Sequence, residues 1–121
     1  MDKNIKNALN ELLNVIKESD VYKAYEKAKK QWSEAKESQK VLKDFLEARN
    51  TLGVFQQGNF PGIDEQREKV NKLYNEVNKD LNIQEWMEAQ EKYQQFIWEQ
   101  AEYLTKELGF NFSPKPKGCC G

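Results

Sequence analysis

Apolar side chains recur along most of this chain at alternating steps of three and four residues. That spacing places them on one face of an α-helix, because a helix completes a turn about every 3.6 residues. The first such stripe predicts a helix over about residues 3–18. It consists of Ile5, Ala8, Leu9, Leu12, Leu13, Val15 and Ile16. The chain is also 32% charged and 38% hydrophobic, with six Gly and three Pro, a composition typical of exposed amphipathic helices.

Two further stripes follow before the first clear break in the chain. Ser19 and Asp20 offer oxygens that can cap a helix start, so the next stripe is either a second helix or a kinked continuation of the first. Ser38 is the next candidate cap, and it predicts a third helix that ends near Gln57. The apolar positions are Val21, Ala24, Tyr25, Ala28, Trp32 and Ala35, then Val41, Leu42, Phe45, Leu46, Leu52 and Phe55.

The second half of the chain begins with a turn. Two glycines and a proline in residues 58–62 oppose helix and predict the tip of a helical hairpin. Asp64 is the candidate cap of a fourth helix over about residues 64–80. Asn82 is the candidate start of a longer fifth helix, and Gly109 is its candidate left-handed stop.

These patterns predict an all-α fold, an antiparallel helical hairpin or bundle of four to five helices with a long C-terminal helix. We expect one helical domain over residues 1–109. Residues 110–121 contain two prolines and two adjacent cysteines without helical periodicity, and we expect them to form a flexible tail.

Composition argues against several classes of function. The chain has no histidine, which removes histidine-dependent catalytic triads and histidine-containing metal sites. Its 19 basic and 20 acidic side chains give a net charge of −1, so no bulk electrostatic attraction favours nucleic acid or an anionic membrane. A glycine-rich phosphate loop is missing, as are a signal-peptide pattern and an apolar run of about 18 residues. We therefore expect a cytoplasmic protein that is not an enzyme.

Two sets of residues are candidates for function. Cys119 and Cys120 are adjacent thiols that supply at most half of a metal or iron–sulfur site, so a second chain would have to complete it; an incidental thiol pair is the open alternative. Trp98 and Tyr103 lie off the main stripe of the fifth helix and widen its apolar face. They predict a partner interface, in a dimer or a hetero-complex.

Several short patterns resemble the YlbF/YmcA family of small helical bacterial regulators, which includes YheA-like proteins. They are Ser19-Asp20-Val21-Tyr22-x-x-Tyr25-x-x-Ala28, Val41-x-x-x-Phe45, Gln56-x-Gly58 and Asn82-x-x-x-Trp86-x-x-Ala89-x-x-x-x-Gln94. The likeness covers about residues 5–108. Two features depart from the family: the tail has only two cysteines, and neither Asn82 nor Ser38 is followed by the proline common at these helix starts.

The resemblance implies a cytosolic helical protein that associates through its long helices and has no enzymatic activity. YlbF and YmcA act with YaaT in a complex linked to competence, sporulation, biofilm formation and RNase Y-dependent messenger RNA processing. That complex carries iron–sulfur clusters, which implies that Cys119 and Cys120 contribute to a shared metal or iron–sulfur site. The alternative that the resemblance leaves open is a metal-free structural homodimer of the YheA type.

Overall fold

The computed structural model describes residues 1–109 and confirms the all-α class. Five helices follow in chain order: α1 (Lys3–Glu18), α2 (Asp20–Glu34), α3 (Lys36–Gly58), α4 (Ile63–Lys79) and α5 (Leu81–Leu108). The long C-terminal helix is therefore confirmed, at 28 residues. Gly109, with a φ of 68°, provides the predicted left-handed stop.

The starts of α1 and α2 follow from side-chain caps. The carboxylate of Asp2 accepts hydrogen bonds from the backbone N–H groups of Asn4 and Ile5, at 2.8 and 3.1 Å. The hydroxyl of Ser19 accepts a bond from the N–H of Tyr22 at 3.2 Å and donates one to the carbonyl of Ile16 at 2.6 Å. Ser19 thus serves the end of α1 and the start of α2, and the second stripe is a separate helix.

Three of the predicted caps are wrong. Ser38 lies inside α3, which begins two residues earlier after Ala35. Asp64 lies in the first turn of α4, whose N-cap is Gly62. Asn82 lies within α5, and the start of that helix is capped by Asp80, whose Oδ1 accepts a bond from the N–H of Ile83 at 3.0 Å.

The predicted hairpin tip is confirmed between α3 and α4. Asn59 and Gly62 have φ values of 52° and 90°, the left-handed conformation that reverses the chain. The two helices then pack along each other in antiparallel directions. The side-chain amide of Gln66 in α4 donates a hydrogen bond to the carbonyl of Ala48 in α3 at 3.0 Å, and this bond joins the two helices of the hairpin.

Contacts divide the chain into two units, which are described separately. The second unit, Lys29–Met87, has a core formed by Phe45, Val77 and the fully buried Ile83. The rings of Trp32 and Trp86 stack in this unit with centroids 6.1 Å apart. Partly buried apolar side chains that pack on the core are Trp32, Val41, Leu42, Val70 and Leu73.

A polar cluster holds the start of α5 in the second unit. The hydroxyl of the buried Ser38 donates to the Asp80 carboxylate, with oxygen distances of 2.7 and 2.9 Å. The amide of Asn82 donates to the same hydroxyl at 3.3 Å. Asp80 therefore joins α3 to α5 and caps α5 with one carboxylate.

Among the described residues, the first unit contains Met1–Ala28 and residues 88–109. Tyr93 of α5 contacts two tyrosines of α2. Its ring stacks on that of Tyr25 with centroids 4.4 Å apart and meets Tyr22 edge to face at 5.9 Å. Burial raises the pKa of Tyr22, and Glu26 and Tyr93 add to the shift.

Candidate protein-interaction surface

The apolar stripe of α1 is largely exposed. None of the residues of α1 is buried. Ile5 is 57% exposed, Leu9 is 42% and Leu12 is 41%. We call the exposed apolar residues of this helix the α1 face: Ile5, Leu9, Leu12, Leu13 and Val15.

The α1 face is one continuous surface. At about 100° per residue its five members fall within a sector of about 160°, and the asparagines and charged residues of α1 lie opposite. Single exposed apolar residues are normal, but a contiguous apolar surface marks an interaction site. Because full burial of such a side chain contributes about 1.5–3 kcal/mol, covering the exposed half of each would contribute about 1 kcal/mol. The α1 face would thus contribute several kcal/mol to association.

The second half of α5 repeats the spacing of α1. Ile97, Ala101, Leu104 and Leu108 follow at steps of four, three and four residues, as do Ile5, Leu9, Leu12 and Ile16 in α1. Ile97 and Leu104 are each 38% exposed and Leu108 is 70% exposed. This is the spacing of helices that pack along one another in coiled coils.

The two predicted interface residues lie on different sides of α5. Five residues separate Trp98 from Tyr103, which corresponds to about 140° around the helix axis. Trp98 is half-buried and makes a contact within the chain. Tyr103 is 65% exposed. Both remain predictions as interface residues, but the geometry assigns them to separate surfaces.

A groove lies in the first unit between the start of α2 and the middle of α5. Val21 and Phe96 are its apolar, half-buried residues. Its remaining lining is polar and mostly acidic, and includes Glu88, Glu91, Lys92 and Glu99. We call this the acidic groove.

One pair of charges in the acidic groove is already neutralised. The Lys92 ammonium lies 2.8 Å from a carboxylate oxygen of Glu88. This hydrogen-bonded contact lowers the pKa of Glu88 and raises the pKa of Lys92. Over residues 1–109, Glu91 and Glu99 belong to no ion pair. The groove therefore keeps two carboxylates without an opposite charge from the described chain.

The acidic groove was not predicted from the sequence, although the spacing of its carboxylates was visible there. Positions 88, 91 and 99 lie on one side of α5, since at about 100° per residue they fall within a sector of about 80°. That periodicity showed that the carboxylates share a side of the helix. It could not show that Val21 of α2 lies beside them.

Other kinds of site were sought in the same part of the chain. Cys119 and Cys120 lie outside the described residues. Within residues 1–109, no group of three or more His, Cys, Asp or Glu side chains is arranged to hold a metal ion. Nor is any helix there long and apolar enough to cross a membrane.

Comparison with known proteins gives a consistent set of relatives. The family model described as control of competence regulator ComK, YlbF/YmcA, matches residues 5–108. UPF0342 protein SERP1381 of Staphylococcus epidermidis is 32% identical over 108 residues, which cover 87% of this chain and 92% of the relative. UPF0342 protein SH1117 of Staphylococcus haemolyticus has the same identity and coverage. The comparison with solved structures gives no significant match.

Proposed function

The chain belongs to the YlbF/YmcA family, described as controlling the competence regulator ComK, and from that premise we propose that it is a non-enzymatic regulatory protein that acts through contacts with other proteins. The observation that carries the proposal is the α1 face. A small protein with a contiguous exposed apolar helix face gains free energy when another polypeptide covers it. We infer that a protein partner packs along α1.

We propose that the partners are other members of the family, in a cytoplasmic complex like that of YlbF, YmcA and YaaT, affecting RNA processing and development. Near-neutral net charge supports a protein partner over direct binding to RNA, since RNA binding draws on an excess of basic side chains. Trp98 and Tyr103 would add aromatic area to the contacts, as aromatic side chains often do at interfaces.

The test is purification from the native host without oxygen, using two variants with the same charge change. Leu9→Glu/Leu12→Glu places two carboxylates on the α1 face, and Asn7→Glu/Asn14→Glu places two on the opposite side of α1. Wild type and the Asn variant should recover the same partner, while the Leu variant should lose it with an unchanged far-ultraviolet circular dichroism spectrum. Equal recovery with both variants would remove the α1 face from the proposal.

We also propose that Cys119 and Cys120 supply two ligands of a metal or iron–sulfur centre completed by a second chain. Adjacent thiols provide soft ligands, and such centres commonly need four. Iron and sulfide analysis of the anaerobic complex should show a loss in a Cys119→Ser/Cys120→Ser variant relative to wild type. Equal metal in both preparations would contradict this part of the proposal.

A second candidate function is a metal-free structural homodimer. It is favoured by the matching four-three-four spacing of apolar residues in α1 and α5, since two copies could pack these stripes together. Light scattering of the pure protein distinguishes the two candidates. A stable dimer without chromophore, indifferent to the cysteine substitutions, supports the homodimer.

A further inference from the structure

We propose that the acidic groove binds a basic amphipathic helix of a partner protein. This inference rests on the proposed function and assigns a partner chemistry to a surface other than the α1 face. An amphipathic helix lays its apolar stripe into a groove and places its charges at the rim. The acidic groove offers the complement of that arrangement.

The apolar part of the groove sets where the partner's stripe lies. Val21 comes from the first turn of α2 and Phe96 from the middle of α5, so the two side chains belong to different walls. Both are only partly buried. Leucine, isoleucine or methionine side chains of an incoming helix would complete the burial of this pair.

The carboxylates set the partner's charge. Glu88 and Glu99 lie eleven residues apart along one side of α5, a rise of about 16 Å, or about three turns of a bound helix. Glu88 is engaged by Lys92, which leaves Glu91 and Glu99 about 12 Å apart. Two lysines or arginines seven or eight residues apart on a partner helix match that separation.

Tyr103 extends the same side of α5. It follows Glu99 by four residues, hence by about one turn, and is 65% exposed. A partner lysine or arginine opposite Glu99 would also reach the face of this ring, where a cation is attracted. Tyr103 therefore becomes part of the docking surface beside Glu99. Trp98, seven residues after Glu91, lies about 20° from Glu91 around the helix axis and does not line the groove.

A second copy of α1 fits the groove less well. Lys6 and Lys17 flank its apolar stripe, but they are eleven residues apart, a rise of about 16 Å. That separation does not match the rise of about 12 Å between Glu91 and Glu99. A partner with flanking basic residues seven or eight residues apart satisfies both parts of the surface.

The test uses a fluorescent 18-residue helical peptide that has leucines on one face and lysines flanking them. Anisotropy with the full-length protein should show saturable binding. A peptide with glutamates in place of the lysines should bind at least about tenfold more weakly, since two pairs of about 0.7 kcal/mol each correspond to that factor. Equal binding of the two peptides would overturn the proposal.

Variants with equal net charge separate this groove from general attraction. Glu91→Gln/Glu99→Gln should weaken binding of the lysine peptide about tenfold, and Glu65→Gln/Glu68→Gln in α4 less than twofold. Tyr103→Ala, at an exposed position, should weaken it about threefold. Equal weakening by the two glutamine variants would overturn the proposal.

The remaining outcomes identify other occupants. Tighter peptide binding by the Lys115→Gln/Lys117→Gln variant would show that the chain's own basic segment competes with the peptide for the groove. A loss of peptide affinity at protein concentrations where the protein self-associates would show that a second copy occupies the groove. Either result overturns a foreign partner. Absence of peptide binding together with intact partner recovery through the α1 face would refute this inference and leave the proposed function standing.

Discussion

We expect Asp80 to contribute more to the stability of the fold than the acidic residues at the starts of the other helices. Its carboxylate caps α5 through the Ile83 N–H and accepts the hydroxyl of buried Ser38. Loss of an N-cap costs about 1 kcal/mol, and a buried hydroxyl that loses its acceptor costs about 1–3 kcal/mol. We therefore expect Asp80→Ala to lower the free energy of unfolding by about 2–4 kcal/mol.

Urea denaturation followed by tryptophan fluorescence is a direct assay, because Trp32 and Trp86 stack in the same unit as Asp80. With a slope of about 1.5–2 kcal/mol per molar urea, the midpoint should fall by about 1–3 M. The matched control is Asp64→Ala at the start of α4. The Asp64 side chain is 97% exposed and forms only a 3.3 Å pair with Arg67, so its loss should cost below about 0.5 kcal/mol.

A double-mutant cycle with Ser38→Ala isolates the link between α3 and α5. A hydrogen bond to a charged group contributes about 1.5–3 kcal/mol, so the coupling between Ser38 and Asp80 should be at least about 1 kcal/mol. Additive effects of the two substitutions, or an Asp80→Ala effect no larger than that of Asp64→Ala, would refute this explanation of how α5 begins.

Three other predictions concern single sites. Ile83→Ala should lower the free energy of unfolding by about 2–5 kcal/mol in the same denaturation assay, because the side chain is fully buried and its loss leaves a cavity. Gly53→Ala should raise the free energy of unfolding by about 0.5–1 kcal/mol, because Gly53 lies inside α3 and the new methyl group meets no neighbour. Gly62→Ala should lower it by about 1 kcal/mol, because Gly62 has a φ of 90°. Effects of equal sign would contradict the assigned conformations. Because Lys92 lowers the pKa of Glu88, the stabilisation from this pair is present at pH values above the ordinary carboxyl pKa and is lost as the pH falls through the lowered pKa. Lys92→Gln should therefore raise the pKa of Glu88 in a carbon-13 titration, and an unchanged pKa would contradict the ion pair.

The helices could be predicted from the sequence because their cause is local. The spacing of apolar residues gave the bounds of α1, and the turn at residues 58–62 gave the hairpin. Ser19 was predicted correctly as a cap because its partner, Tyr22, is three residues away. Local patterns of this kind are present in the sequence itself.

The wrong caps have a different cause. Ser38 was taken as a cap because serine commonly caps helices, but its hydroxyl bonds to Asp80, 42 residues away. That tertiary bond also makes Asp80, rather than Asn82, the cap of α5. A pattern of neighbouring residues carries no information about such a partner.

The candidate surfaces were only half visible in the sequence. The stripe of α1 was clear, but a stripe predicts which residues share a side and does not show whether that side is covered. The structure shows Leu9 and Leu12 exposed. Likewise, the angle between Trp98 and Tyr103 follows from their spacing, but the proximity of Val21 to Glu91 and Phe96 depends on how α2 meets α5.

The central claim is that a protein covers the α1 face, and site-specific photocrosslinking in the native host tests it most directly. A benzophenone amino acid at position 9 lies on the α1 face, and the same residue at position 7 lies on the opposite side of the helix. We predict a discrete protein adduct from position 9, identified by mass spectrometry, and none from position 7. Adducts of equal yield at both positions, or none from position 9, would contradict the claim.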